Sequence, residues 1–172
     1  MRFVALTDNP QVIAALSDIL IEAVANGGSV SFMHPLAREV AADFWKDSLV
    51  RAASGQRVVL GAWEGDELIG TVTLDLDTPP NQPHRAEIAK LMTRVSHRGR
   101  GVARNLMLEA ERIAVECGRT LLVLDTAVED GAAGLYERLG YHRVGIIPGY
   151  ALKSYGGLTG TIIYFKRIGA TV

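Results

Sequence analysis

Between residues 67 and 76 one residue in two is Leu68, Gly70, Val72, Leu74 or Leu76, and the residues between them are Ile69, Thr71, Thr73 and Asp75. Side chains along a strand point to opposite faces in turn, so this spacing predicts a strand with one wholly apolar face packed against helices. A second run over 57–63 pairs with it through Glu64-Gly65-Asp66, which has the chemistry of a hairpin turn. The preceding stretches carry the helical period. Asn9 offers a cap and Pro10 a first-turn residue to a helix whose Val12, Ile13, Leu16, Ile19, Leu20 and Ala23 share a face as far as Asn26-Gly27-Gly28. His34-Pro35 opens the next helix, with Leu36, Val40, Phe44, Trp45, Leu49 and Ala52 as its buried face and Gly55 past its end. A short strand over 2–6 comes before both.

In the second half the pattern predicts a strand over 87–95 and a helix from about Val102. Leu106, Ala110, Ile113 and Ala114 form the apolar stripe of that helix, and Cys117 falls in register with them as a buried structural thiol. Gly118 stops it. Leu121-Leu122-Val123-Leu124 has no alternation, as expected of a strand covered on both faces and lying parallel to the one over 87–95. A helix over 129–139 closed by Gly140, strands over 141–147 and 161–167, and a loop over 148–160 with a turn at Gly156-Gly157 complete the chain. Two loops remain. The one over 77–84 is stiffened by Pro79, Pro80 and Pro83, and the one over 29–33 presents Phe32 and Met33 either to the core or to the wall of a pocket.

A length of 172 residues predicts one domain spanning 1–172, with 48% apolar and 22% charged residues, ordinary for a water-exposed globular fold. No signal-peptide pattern and no long apolar run occur, so a cytoplasmic protein without a membrane partner is expected. His34, His84, His97 and His142 lack paired ligand spacing, so no metal site is expected. The net charge is only −1, which argues against a nucleic-acid partner, yet Arg94, Arg98, Arg100 and Arg104 are clustered.

That cluster surrounds the join between a strand and a helix. The first helical turn has N–H groups without partners and the positive end of the helix dipole, and glycines let an anion approach the main chain, so the join predicts a phosphate site. No Gly-x-x-x-x-Gly-Lys-Ser/Thr run exists, and Arg104 occupies the third small position of a dinucleotide fingerprint. Arg98-Gly99-Arg100-Gly101-Val102-Ala103 instead reads Arg-x-x-Gly-x-Ala and resembles the acetyl-CoA signature of the GCN5-related N-acetyltransferases (GNAT). Ala132-Ala133-Gly134-Leu135-Tyr136-Glu137-Arg138-Leu139-Gly140-Tyr141 is similar to a second motif of that family, and the order of elements is the family's order. Gly27 to Met33, Arg85 to Ile88, Leu124 to Thr126, Arg143 to Gly145, Pro148 to Tyr150 and Ile163 to Lys166 also resemble members that confer resistance to a toxin.

The resemblance implies an α/β (α+β) GNAT fold. It has a mixed, mostly antiparallel central sheet of about seven strands, with a splayed parallel pair at its centre and about four helices around it. It implies an acetyl-CoA-dependent N-acetyltransferase releasing coenzyme A, with a small amine as acceptor: an amino-acid-like compound, a toxin or an antibiotic. The pyrophosphate would lie on Arg98, Gly99, Arg100, Gly101, Val102 and Ala103, and the pantetheine along Leu91, Met92 and Thr93. Glu129 stands where many relatives carry an Asn near the cofactor. Two-fold dimers are frequent in the family, so a homodimer is expected.

For direct attack of an amine on the thioester, Glu87 and Asp125 are the candidate bases, brought toward one cleft by splayed strands, and both with Phe32 and Met33 are candidate acceptor contacts. Glu87 could instead pair with Arg85 or Lys90, and Asp125 could cap a turn. Tyr136 is the candidate acid for the leaving thiolate, since a phenol is protonated at neutral pH. A main-chain N–H near Leu91 to Thr93 is the expected oxyanion donor. Peptide or protein acetylation and a non-catalytic acyl-CoA sensor are the competing readings.

Overall fold

The computed structural model describes residues 1–169. Its elements run β1 (Arg2–Ala5), α1 (Pro10–Ala25), α2 (Arg38–Ala53), β2 (Arg57–Glu64), β3 (Glu67–Asp75), β4 (Arg85–Thr93), a 3-10 turn (Val95–His97), α3 (Val102–Glu116), β5 (Leu121–Ala127), α4 (Ala133–Arg138), β6 (His142–Leu152) and β7 (Leu158–Arg167). The strands form one seven-stranded sheet in the order β1-β2-β3-β4-β5-β7-β6, antiparallel except for the central β4–β5 pair. The mixed α/β fold expected from the sequence is the one found.

The helices divide between the two faces of the sheet, and each face has its own core. α3 and α4 cover a core built on Ile69, Val72, Leu74, Leu106, Met107, Leu122 and Leu124. α1 and α2 cover another, built on Leu16, Leu20, Trp45, Leu49, Leu68 and Met92. β3 is therefore buried on both faces, not on one: Thr71 and Thr73 are buried too, and Thr71 Oγ1 donates to Leu60 O at 2.7 Å so that its hydroxyl is satisfied. A register shift where Ala62 pairs with Gly70 and Trp63 with Leu68 moves Leu68 to the opposite core from Val72 and Leu74.

Several expectations are corrected at the ends of elements. α2 starts at Arg38, after a segment in which the His34 N–H is bonded to Ser154 O instead of to a helix; Val40 is half exposed and Ala41 takes the buried position. β4 starts two residues early and ends at Thr93, where the 3-10 turn begins. α4 is shortened to Ala133–Arg138, because Gly131 with φ 68° breaks any helix begun at Glu129. Cys117 is exposed: it is the C-cap of α3, and the chain leaves the helical stripe there. The expected loop over 148–160 is mostly strand, since β6 and β7 continue to Leu152 and back from Leu158. Between the pairs Ile147–Thr161 and Ala151–Thr159, three β6 residues oppose Gly160 alone; this bulge accommodates Pro148, which has no N–H, and Gly149 with φ 59°.

Candidate active site

The two central parallel strands separate early. β4 pairs with β5 only through Arg85–Leu121, Ala86–Leu122 and Glu87–Val123, whereas β5 stays on β7 as far as Ala127. β4 stays on β3 but bulges: Thr71 opposes Met92 and Thr73 opposes Ala89, so Val72 faces both Lys90 and Leu91. Lys90 carries the strain of the bulge with φ 53°. From Ile88 to Thr93 the edge of β4 that faces β5 has no strand on it. A cavity of about 580 Å³ opens in the split.

Leu91, Met92 and Thr93 line the cavity, and Thr93 Oγ1 is buried with no hydrogen-bond partner. One end of the cavity reaches the start of α3. Gly99 and Gly101 have φ of 75° and 80°, no side chain caps the helix, and its first internal bond is Asn105 N–H to Gly101 O at 3.0 Å. The amides at such a helix start have no intrahelical partner, the condition under which a helix N-terminus can hold an anion. Arg98 and Ala103 line the cavity, while Val102 is buried and anchors the turn. The anchor depends on Gly70: a Cβ there would lie 2.9 Å from Met92 O and from Val102 Cγ1.

The four clustered arginines differ in role. Arg94 is held by Leu68 O and lies within ion-pair distance of Glu22 and Glu67, and Arg100 bonds Glu64 at 2.7 Å. Arg100 and His97 beside Glu64 hold its carboxyl below the ordinary value. Arg98 and Arg104 form no ion pair among the described residues, and of these only Arg98 borders the cavity.

Asp125 and Tyr136 both line the cavity, and Glu87 does not. Thr161 Oγ1 donates to Asp125 Oδ2 at 2.7 Å, which fixes that carboxylate from β7. Glu87 lies two residues from Arg85 on the same face of β4, and its carboxylate turns to the Arg85 guanidinium. Tyr136 is buried, with its ring 5.7 Å from that of Tyr164 and 6.0 Å from that of Tyr141. Burial, with Asp130 and Asp125 adding negative charge, pushes its phenol up to about 12. Glu129 borders the cavity and is tied to Lys153 Nζ at 2.9 Å.

Phe32 lines the cavity, with its ring edge-on to Phe44 at 5.2 Å; Met33 is 44% exposed and lies outside it. The loop between α1 and α2 is latched to the β6–β7 hairpin. His34 stacks on Tyr155 at 4.4 Å, and the Tyr155 hydroxyl donates to Ala25 O at 2.7 Å. Lys90, Ser31, Thr161 and Asp130 are among the lining residues not recognised from the sequence as part of a site. Lys90 and Ser31 reach it through left-handed backbone, Thr161 through the register of β7, and Asp130 through the Gly131 break in α4. The Gly next to Asp130 was the one visible signal. Burial raises the Asp130 carboxyl, and the Ser29 N–H at 3.4 Å opposes that.

The model of the acetyltransferase (GNAT) family matches residues 21–141, and this chain belongs to that family. Rat N-acetyltransferase 8B is 32% identical over 106 residues, 60% of this chain and 46% of the relative, so the chain spans about half the length of the curated relatives it matches. Among solved structures, an N-acetyltransferase from Staphylococcus aureus Mu50 superposes with a TM-score of 0.81 at 16% identity, covering 97% of this chain and 99% of the other. YncA from Salmonella typhimurium, solved with its cofactor acetyl-CoA, superposes with a TM-score of 0.80 at 17% identity, covering 100% and 97%. At these identities the likeness is one of fold.

Proposed function

We propose that this chain transfers the acetyl group of acetyl-CoA to the amine of a small molecule, an amino-acid-like compound, toxin or antibiotic. The observation that carries the reading is the convergence on one cavity of an uncapped, glycine-shaped helix start, an unpaired strand edge, a carboxylate and a protonated phenol. The cofactor fits these residues. The amides of Gly99 to Ala103, with Arg98, would hold its pyrophosphate, and the free edge of Leu91 to Thr93 would hold the pantetheine. When bound it supplies an activated acetyl thioester.

Asp125, held by Thr161, attracts the ammonium form of the acceptor and takes its proton, directly or through water. The amine nitrogen then forms a bond to the carbonyl carbon as the carbon–sulfur bond breaks. Main-chain N–H groups around Leu91 to Thr93 stabilise the charge that develops on oxygen. Tyr136 would give its proton to the departing sulfur and regain one as the nitrogen sheds its second proton on becoming an amide, while Asp125 would release its own proton to water. Glu87 is the weaker candidate for the base, because Arg85 holds its carboxylate outside the cavity.

A small acceptor is favoured over a peptide by the latch of Tyr155 on His34 and Ala25, which ties the α1–α2 loop to the β6–β7 hairpin, two segments that both contribute residues to the cavity lining. A sensor that only binds acyl-CoA would have no use for Thr161-held Asp125 beside Tyr136. We also infer a homodimer joined through the sheet edge at β6, where Val144, Ile146, Ile147 and Leu152 are exposed along a strand with a partner on one side only. The test of the activity is thiol release from acetyl-CoA across small amines, amino acids, amine antibiotics and N-terminal peptides. Release with small amines supports the reading, release only with peptides moves the acceptor to the competing class, and cofactor binding without release supports the sensor.

A further inference from the structure

Among the described residues, Ser31 and Lys90 are the two non-glycine residues with left-handed φ, at 74° and 53°. Such backbone is disfavoured for a side chain with a Cβ, and it concentrates at functional sites. The two residues come from opposite walls of the cavity, the α1–α2 loop and the β4 bulge, and they touch: Lys90 Nζ donates to Ser31 Oγ at 3.0 Å. The same ammonium lies 5.7 Å from the centroid of the Phe44 ring. Its position is thus fixed by a hydroxyl and an aromatic face, and among the described residues it has no carboxylate within ion-pair distance.

Asp125 lines the same cavity and is close enough to favour the charged form of Lys90, against burial, which disfavours it. The two opposite charges nevertheless do not form an ion pair. Each is held by a hydroxyl, Asp125 by Thr161 and Lys90 by Ser31, which separates them and leaves each with unused capacity for an ionic partner. A zwitterion presents the complementary pair of charges.

On the reading of this cavity as an acetyltransferase site, we propose that Lys90 selects the acceptor by binding a carboxylate on it while Asp125 receives its amine. Lys90 is a specificity-determining residue, and the acceptor is an amine that also carries a carboxylate. Ser31 aims the ammonium, and the Phe44 ring gives it a second contact. A lysine offers a point charge and not the planar fork of an arginine, so the fit is to a single carboxylate oxygen or a water-bridged pair.

The experiment uses matched acceptors that differ only by the carboxylate: phenylalanine and phenethylamine, lysine and cadaverine, ornithine and putrescine. kcat and KM are measured by thiol release for the wild type, Lys90→Met and Lys90→Arg, with acetyl-CoA binding followed by calorimetry. The wild type is expected to favour the carboxylate-bearing member of at least one pair by about tenfold or more in kcat/KM. Lys90→Met abolishes that preference through a higher KM for that member, and Lys90→Arg restores part of it. A preference for the decarboxylated member, a preference that survives Lys90→Met, or a loss confined to kcat would overturn the assignment, the last by making Lys90 a proton-transfer group. Acetyl-CoA binding with no turnover of any carboxylate-bearing member also overturns it. Failure of the wild type to bind acetyl-CoA defeats the acetyltransferase reading itself.

Discussion

Lys90 occupies a place where an apolar side chain of similar length would be more stable. Burial lowers its pKa below the ordinary 10.5, so across the interval up to 10.5 the unfolded chain binds more protons than the folded one, and stability rises with pH. Lys90→Met is expected to raise unfolding stability in urea by about 1 kcal/mol at neutral pH, the usual size of a gain when a functional residue is replaced by a structural one. The gain should shrink as pH climbs toward 10.5. Tyr136 shows the opposite balance. With its phenol pushed up to about 12, it keeps its proton through pH 10, and turnover should show no falling limb at the ordinary tyrosine value of 10.0. Tyr136→Phe should lower kcat about a hundredfold with little change in acetyl-CoA affinity, as expected for removal of a general acid. Asp125→Asn should lower kcat/KM about a hundredfold, and Glu87→Gln should leave it close to the wild type. A loss confined to Glu87→Gln would return the base to Glu87.

The elements were mostly legible because each has its own period and punctuation. Asn9 caps α1 as its residue type requires, accepting from Gln11 N–H at 2.8 Å, and Gly118 and Gly140 end α3 and α4 in left-handed conformations. The glycine-shaped start of α3 was legible as well, because Gly99 and Gly101 stand just before the helical stripe. What escaped the sequence was everything set by register between distant strands. Nothing in Ala89-Lys90-Leu91 signals that Lys90 is the extra residue opposite Val72, and without that bulge the lysine would not border the cavity. Strand alternation puts Glu87 beside Arg85, the pairing that the sequence offered as the alternative to a base. β6 was cut short because Pro148-Gly149 reads as a turn, yet a bulge absorbs both residues. The join of β3, β4 and α3 makes its own prediction. Gly70→Val should destabilise the fold by about 2 kcal/mol, as overpacking against the Met92 carbonyl and Val102 requires, and should weaken acetyl-CoA binding by displacing the start of α3. Calorimetry and urea unfolding on the same variant read both effects.

At the scale of the whole molecule, one sheet separates two cores, and the cavity lies where the sheet comes apart between them. On the proposed reading, the α1–α2 loop and the β6–β7 hairpin would supply the acceptor side and the start of α3 the cofactor side. A dimer through β6 would leave the start of α3, which follows the central strand β4, away from that edge and free for the cofactor. Sedimentation should show a dimer that Ile146→Lys weakens, and a monomer at all concentrations would remove that expectation. Cofactor binding at Arg98 to Ala103 underlies every proposed step, and one calorimetric titration tests it directly: acetyl-CoA into the wild type, Arg98→Ala and Arg104→Ala. The expected result is one acetyl-CoA bound per chain, an affinity lowered about tenfold or more in Arg98→Ala by loss of a charge-assisted contact, and little change in Arg104→Ala, which does not border the cavity. No binding by the wild type, or equal losses in the two variants, would contradict it.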